Sequence, residues 1–396
     1  MKWITWLLLI GVSWAASPTP SDDPASVLIV VNDLTPAEEG TGELGASEYV
    51  AEVYRAARGI PAGNVVHISQ PLACCDNDPH HFDSTHISYA NFVQYIRTPI
   101  QEYMAANGLT NSIRYIVPTY GVATHISDKY DGASVDAFLA QMSRADPQNG
   151  LRQNPYYASN PTTLPGRFKD VTLSYRMYLV SRLDGPSALY AAGLATKAIE
   201  AERLGVRALA ASGTGYFDRR GISSVPEKLV EDSIVNSKNY CDSAGFTCTL
   251  NNQAVSGQMI TDGSNALWVW GWYTANTTND VYTFAPGAVG TQHTSYTANN
   301  LRAVTGGNWC SLFITRGITA TWGATAEPFV GYYALADGVF YRLWKGYNFA
   351  EAGWSSSPYT GWMMVFVGDP LYRPVIVAAR AKPRGTVRLH GGARFR

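Results

Sequence analysis

His293 and Ser295 stand two residues apart in the run GTQHTS, and a hydroxyl within reach of an imidazole is the minimal pairing for acyl transfer. A serine oxygen is a poor nucleophile at neutral pH unless a base takes its proton. His293 offers that base on the same strand edge. His125, in the loop PTYGVATH, offers a second, with Asp128 or Asp131 available to orient its ring. The competing reading makes Ser295 and His293 hydrogen-bonded loop residues in a site without catalysis.

A second chemically capable group lies between residues 74 and 86. Cys74, Asp76, Asp78, His80, His81 and His86, with Cys75 and Asp83 beside them, mix soft and hard ligands that suit zinc or another divalent ion. Their spacing matches no zinc-site pattern, and adjacent cysteines fit a tetrahedral site poorly, so a polar surface insertion explains them equally. No cofactor is expected apart from a divalent metal here, and no phosphate loop is present. Aromatic residues form the third group. Trp270, Gly271, Trp272 and Tyr273 close the run WVWGWY, and Tyr120 follows another apolar run. Exposed, such rings suit sugars or peptides; buried, they are core packing.

These residues need strands to aim them. Ala266–Trp270 is an apolar run short enough for a buried strand, expected to break into loop at Gly271, and Gly287–Gly290 is a second. Neighbouring buried strands that release reactive side chains past their C-terminal ends are how open α/β sheets build a site. Further strands are expected at Val27–Val31, Val65–Ile68, Ile113–Val117, Ser174–Val180, Val206–Ala211, Ile318–Trp322 and Met363–Val367. Helices are expected over 48–58 capped by Ser47, over 89–106 split by Pro99, and from Ser187 or Asp184 to Gly205. Others fall at 228–240, 309–316 and 329–344. This alternation predicts a mostly parallel α/β fold flanked by helices, in two abutting units at 26–165 and 166–378, with a long excursion over 143–168.

Composition sets the outer limits. The 396 residues are 46% hydrophobic and 15% charged with net charge −1, which argues against a disordered chain and a dedicated nucleic-acid binder. Lys2, the apolar stretch Trp3–Val12 and small residues at Ser13, Ala15 and Ala16 read as a signal peptide over 1–16. A linker over 17–25 follows, and no later stretch is apolar enough to span a bilayer. Cys241 and Cys248 can close a small loop in an oxidising compartment, and Cys310 reads as buried. The tail at 379–396 is basic and reads as a solvated end. Glu327 and Asp369 read as structural, and Arg182 and Asp184 as an internal pair.

The segments SRLDGPSALYAAGLATKAIEAERLG, WVWGWY, GAVGTQHTSYTANNLR, GITATWGATAEPF and VGDPLYRPV, with SVLIVVND, YRAARGIP and VPTYGV before them, resemble an uncharacterised family of secreted bacterial proteins. That family occurs in genomes carrying exosortase, a protein-sorting transpeptidase, and the likeness spans nearly the whole mature chain. The order of motifs is more distantly similar to gingipain-type cysteine peptidases with a caspase-like fold, in which one strand ends in the catalytic His and the next in the Cys. The resemblance implies that fold and an envelope or extracellular location. It also implies that Trp272 or Tyr273 stands where the imidazole would be and Ser295 where the thiol would be. Tryptophan and tyrosine do not accept a proton at neutral pH. The resemblance therefore points to a scaffold without its catalytic pair, binding a peptide, a sorting signal or a glycan.

Overall fold

The computed structural model describes residues 24–72, 85–130, 132–144, 150–168, 175–251, 259–274, 277, 279–305 and 307–374. The expected signal peptide, most of the linker, Cys74 to Asp83, Asp131 and the basic tail lie outside the described residues. Among those described, no helix is long and apolar enough to cross a membrane.

Among the described residues, ten strands make the two main sheets. The first has β1 (Val27–Asn32), β2 (Val65–Ile68), β3 (Tyr115–Pro118) and β4 (Leu179–Val180) in the order β2-β1-β3-β4, all parallel. The second has β5 (Thr214–Asp218), β6 (Thr247–Asn251), β7 (Gly263–Trp272), β8 (Tyr282–His293), β9 (Ala320–Ala324) and β10 (Met364–Val367) in the order β6-β5-β7-β8-β9-β10. Only β10 runs antiparallel to its neighbour. The fold is mixed α/β with parallel sheets flanked by helices, as the alternating sequence requires.

Local sequence explains most elements. Helix α1 (Ala46–Arg58) buries Val50, Ala51 and Tyr54 against the first sheet and ends at Gly59, whose φ of 69° fits the left-handed helix stop that glycine tolerates. Ser47 does not cap it, because Gly45 takes that position. Its hydroxyl instead accepts the Asn32 N–H at 2.8 Å and shares a hydrogen bond with Thr119. Pro99 sits in the first turn of the helix Thr98–Ala106, where its missing N–H costs nothing, and the helix before it loosens into a π turn at Val93–Arg97. Helix α2 (Ala188–Ser212), capped by Ser187, breaks at Gly205 but then resumes, so the strand expected at Val206–Ala211 is absent. Leucine, arginine and alanine in VRALAAS favour helix, and the aromatic run TGYFD supplies β5 instead. Helices α3 (Lys228–Ser243), α4 (Trp309–Thr315) and α5 (Ala336–Trp344) follow, then α6 (Phe349–Ser356), which opens with a reciprocal cap between Asn348 and Glu351. A disulfide joins Cys241 to Cys248, and Cys310 is a buried free thiol.

The two sheets meet at Arg182, just past β4. Its backbone bridges to β10 in parallel, through Arg182 N–H to Phe366 carbonyl and Gly368 N–H to Arg182 carbonyl, both at 2.9 Å. Because β10 opposes β9, the first sheet runs antiparallel to the parallel strands of the second. The Arg182 side chain is fully buried. It donates to both Asp136 oxygens at 2.5 and 3.1 Å, to Asp184 at 2.9 Å, and to Thr124, Val122 and Ala123 oxygens. A buried cation survives only when its donors are all used, and here they are. Replacing Arg182 by Ala leaves the buried Asp136 carboxylate without its cation, and chemical denaturation should show a loss of about 3–5 kcal/mol. A midpoint unchanged from wild type would show that the seam does not depend on this cation.

Candidate functional site

Strands β7 and β8 lie side by side and in parallel, with Trp272 opposite His293 and Gly271 opposite Gln292. Both strands run further than the apolar runs alone suggest: Gly271 is inside β7, and β8 continues to His293. A Cβ on Gly271 would lie 2.2 Å from the Gln292 Oε1, so only glycine lets that buried amide cross the neighbouring strand.

On the opposite face the aromatic side chains close over His293. Its ring meets Trp270 at 5.6 Å and Trp272 at 5.9 Å edge-on, and Tyr333 at 4.5 Å. Trp270 is fully buried, Trp272 is 4% exposed and His293 is 5% exposed, so these residues wall in the imidazole rather than present a surface. The His293 Nδ1 is buried without a partner, and burial alone pushes the imidazole down to about 3. Arg220 lies over the Trp272 ring at 5.3 Å. Tyr273 belongs to a separate group: its hydroxyl donates to buried Asp218, and its ring stacks on Trp309 at 5.6 Å. Burial raises the Asp218 carboxyl although Ile260 N–H and the Asn251 amide also donate to it.

Ser295 is half-buried at the start of the turn that leaves β8. Tyr296 N–H and Ala298 N–H tie that turn to Ala326 and Ala324 carbonyls, each at 2.9 Å. His125 reaches the same turn through the Asn299 side chain. Its ring stacks on His86 at 4.4 Å and packs so closely on Gly132 that a Cβ there would meet Nε2 at 2.3 Å. Burial, then the neighbouring His86, lowers His125 to about 4. Among the described residues no carboxylate orients this ring: its Nδ1 is buried without a partner there, and Asp128 accepts from the Tyr89 N–H at 2.6 Å, while Asp131 lies outside the described residues. Tyr120 stands apart, its hydroxyl on Glu38 and its ring under Arg302 at 3.7 Å. Arg302 also pairs with Asp184, so Asp184 serves the seam.

The metal reading rests largely on residues outside those described. Of its six ligands only His86 is described, with its Nδ1 2.8 Å from the Thr85 hydroxyl. Among the described residues no group of three or more His, Cys, Asp or Glu is arranged to hold a metal. The 74–86 segment was expected on the same edge as Ser295. Strand β2 instead ends at the opposite edge, because the two sheets run in opposite senses, and Thr85–Ile87 then returns beside His125.

The open feature beside the Ser295 turn escaped the sequence reading. A pocket of about 580 Å³ is lined by Tyr130, Tyr296, Glu327, Phe329, Trp362 and Met363, with Pro328 and Val330. Phe329 is 67% exposed and lies nearly parallel to Trp362, their ring centroids 6.3 Å apart. Tyr130 and Tyr296 reach the pocket from left-handed backbone, with φ of 49° and 64°, a conformation that costs bulky residues about 1–3 kcal/mol and clusters at functional sites. The stretch EPFVGYY carries Phe329 just before a short 3₁₀ turn at Val330–Tyr332, where the sequence predicted helix.

No family model and no curated protein matches the chain. Over 89% of its length it is similar to a solved structure described as "Structure of Protease", at 10% identity and TM-score 0.44, covering 79% of that chain. It is similar at 9% identity to a complex of Porphyromonas gingivalis RgpB pro- and mature domains (TM-score 0.43, covering 87% of this chain and 79% of that one). The Arg-specific cysteine proteinase gingipain R is also similar at 9% identity (TM-score 0.40, covering 90% and 80%). At these values the likeness assigns neither chemistry nor ligand to this chain.

The two depressed imidazoles make stability depend on pH. Their folded-state values lie below the ordinary 6.5, so the unfolded chain takes up protons first as pH falls. Their contribution is complete above about pH 6.5 and is lost progressively towards pH 3, at up to about 1.4 kcal/mol per pH unit for each ring. Denaturation curves should therefore fall less steeply between about pH 6 and 4 for His293→Phe than for wild type. Parallel curves would place His293 in water.

Proposed function

We propose that this protein is a non-catalytic ligand-binding protein that works outside the cytoplasm. In this reading its ligand occupies the aromatic pocket beside the Ser295 turn, not the strand ends themselves. The observation that carries the reading is the enclosure of His293 by Trp270, Trp272 and Tyr333 at the position where the sheet would present a reacting group. A base held near 3 in a ring-lined box takes a serine proton poorly at neutral pH. The export signal read in the sequence gives the compartment. An exosortase-linked surface role, with a peptide, a sorting signal or a glycan as ligand, extends the proposal.

The contact of His125 with Asn299 favours one second reading, a serine hydrolase using Ser295 and His125. Among the described residues that reading has no carboxylate on the far side of the imidazole. Exposure of the mature protein to a fluorophosphonate probe decides between them. The proposal expects no adduct at Ser295 by mass spectrometry. An adduct that vanishes in Ser295→Ala, together with ester or peptide turnover lost in the same variant, would establish the hydrolase.

A further inference from the structure

The main chain around the pocket is already committed. Strand β9 is paired on both sides, by β8 and β10, so it has no free edge to which an extended peptide could add. The turns leaving it are committed too: Thr325 N–H donates to the Met363 carbonyl at 2.9 Å, and the Ala324 and Ala326 carbonyls accept from Ala298 and Tyr296. Recognition there falls to side chains. They are the rings of Phe329, Tyr130 and Tyr296 with the largely buried Trp362 beside them, and the exposed carboxylate of Glu327; among the described residues no lysine or arginine lines the pocket.

From this we infer that the pocket is a carbohydrate-binding site for a neutral oligosaccharide. The inference rests on the reading of the pocket as the binding site and names its ligand class. A pyranose ring has an apolar C–H face and a rim of hydroxyls. The C–H face matches the exposed Phe329 ring, with the near-parallel Trp362 ring packed beside it, and the hydroxyl rim matches one carboxylate and two phenols. Glu327 disfavours uronic acids and phosphorylated sugars, whose charge has no partner in the lining. A volume of about 580 Å³ accommodates roughly two or three sugar units, within the range of small-ligand pockets.

Titration of the mature protein with neutral tetrasaccharides of the cello, xylo, malto and chito series, and separately with a lysine- and arginine-rich peptide, tests this by calorimetry and tryptophan fluorescence. The expected result is saturable binding of at least one oligosaccharide, weakened about tenfold or more in Phe329→Ala and weakened in Glu327→Gln. Phe329 and Glu327 are both exposed, so these variants keep the fold. Peptide binding lost in Phe329→Ala, with no sugar bound, would overturn the carbohydrate inference while leaving the pocket as the binding site. Oligosaccharide binding indifferent to both variants would also overturn it. No binding of either ligand up to about 10 mM would overturn the inference and the function it rests on.

Discussion

A buried guanidinium sits where this molecule's two sheets meet. Arg182 is buried where β4 meets β10, and burying a cation costs several kcal/mol unless every donor finds an acceptor. Asp136 and Asp184 supply the charge, and the carbonyls of Val122 and Ala123 supply the remaining geometry. Val122, Ala123 and Thr124 lie between β3 and the helix Val135–Ala140, and Asp136 lies in that helix, so the same interaction draws this segment to the seam. His125 and Gly132 therefore lie against the turn that follows β8. The surroundings of the candidate site are thus a consequence of how the seam is satisfied.

The second sheet then faces a choice at its C-terminal edge, where open α/β sheets bind ligands. Here the edge of β7 and β8 is filled with rings. Indole and phenol groups shield His293 from water and hold it neutral, which favours packing over proton transfer. The adjoining loops carry exposed aromatic residues and one carboxylate around open space. Binding and packing have separated by a few residues: β8 ends in a core residue, and the next turn opens the pocket.

How far the chain could be read in advance depended on the range of the interactions involved. The strands at Val27, Val65, Gly263 and Tyr282 were legible because apolar runs bounded by turn residues carry their own signal. The Gly59 stop and the Ser187 cap were legible because they are local chemistry. The Asn348–Glu351 cap was equally local, and its N-x-x-E spacing could have placed the helix at 349–356. The strand expected after Gly205 failed because one glycine can interrupt a helix without ending it. The strands that carry Trp270, Trp272 and His293 were read as neighbours, and they pair. Their burial was not legible, because Tyr333 closes the box from 40 residues away in the chain. The pocket was missed for the same reason. Tyr130, Tyr296, Phe329 and Trp362 come from four separate loops, and tertiary packing brings them together.

Imidazole nitrogen spectra of the mature protein, recorded across about pH 5–8 for wild type and Ser295→Ala, test this closed edge most directly. The account expects His293 and His125 to stay neutral throughout, with shifts that do not change when the serine hydroxyl is removed. An imidazole that titrates near its ordinary value and moves on removal of that hydroxyl would contradict it, and would return Ser295 to the role of nucleophile.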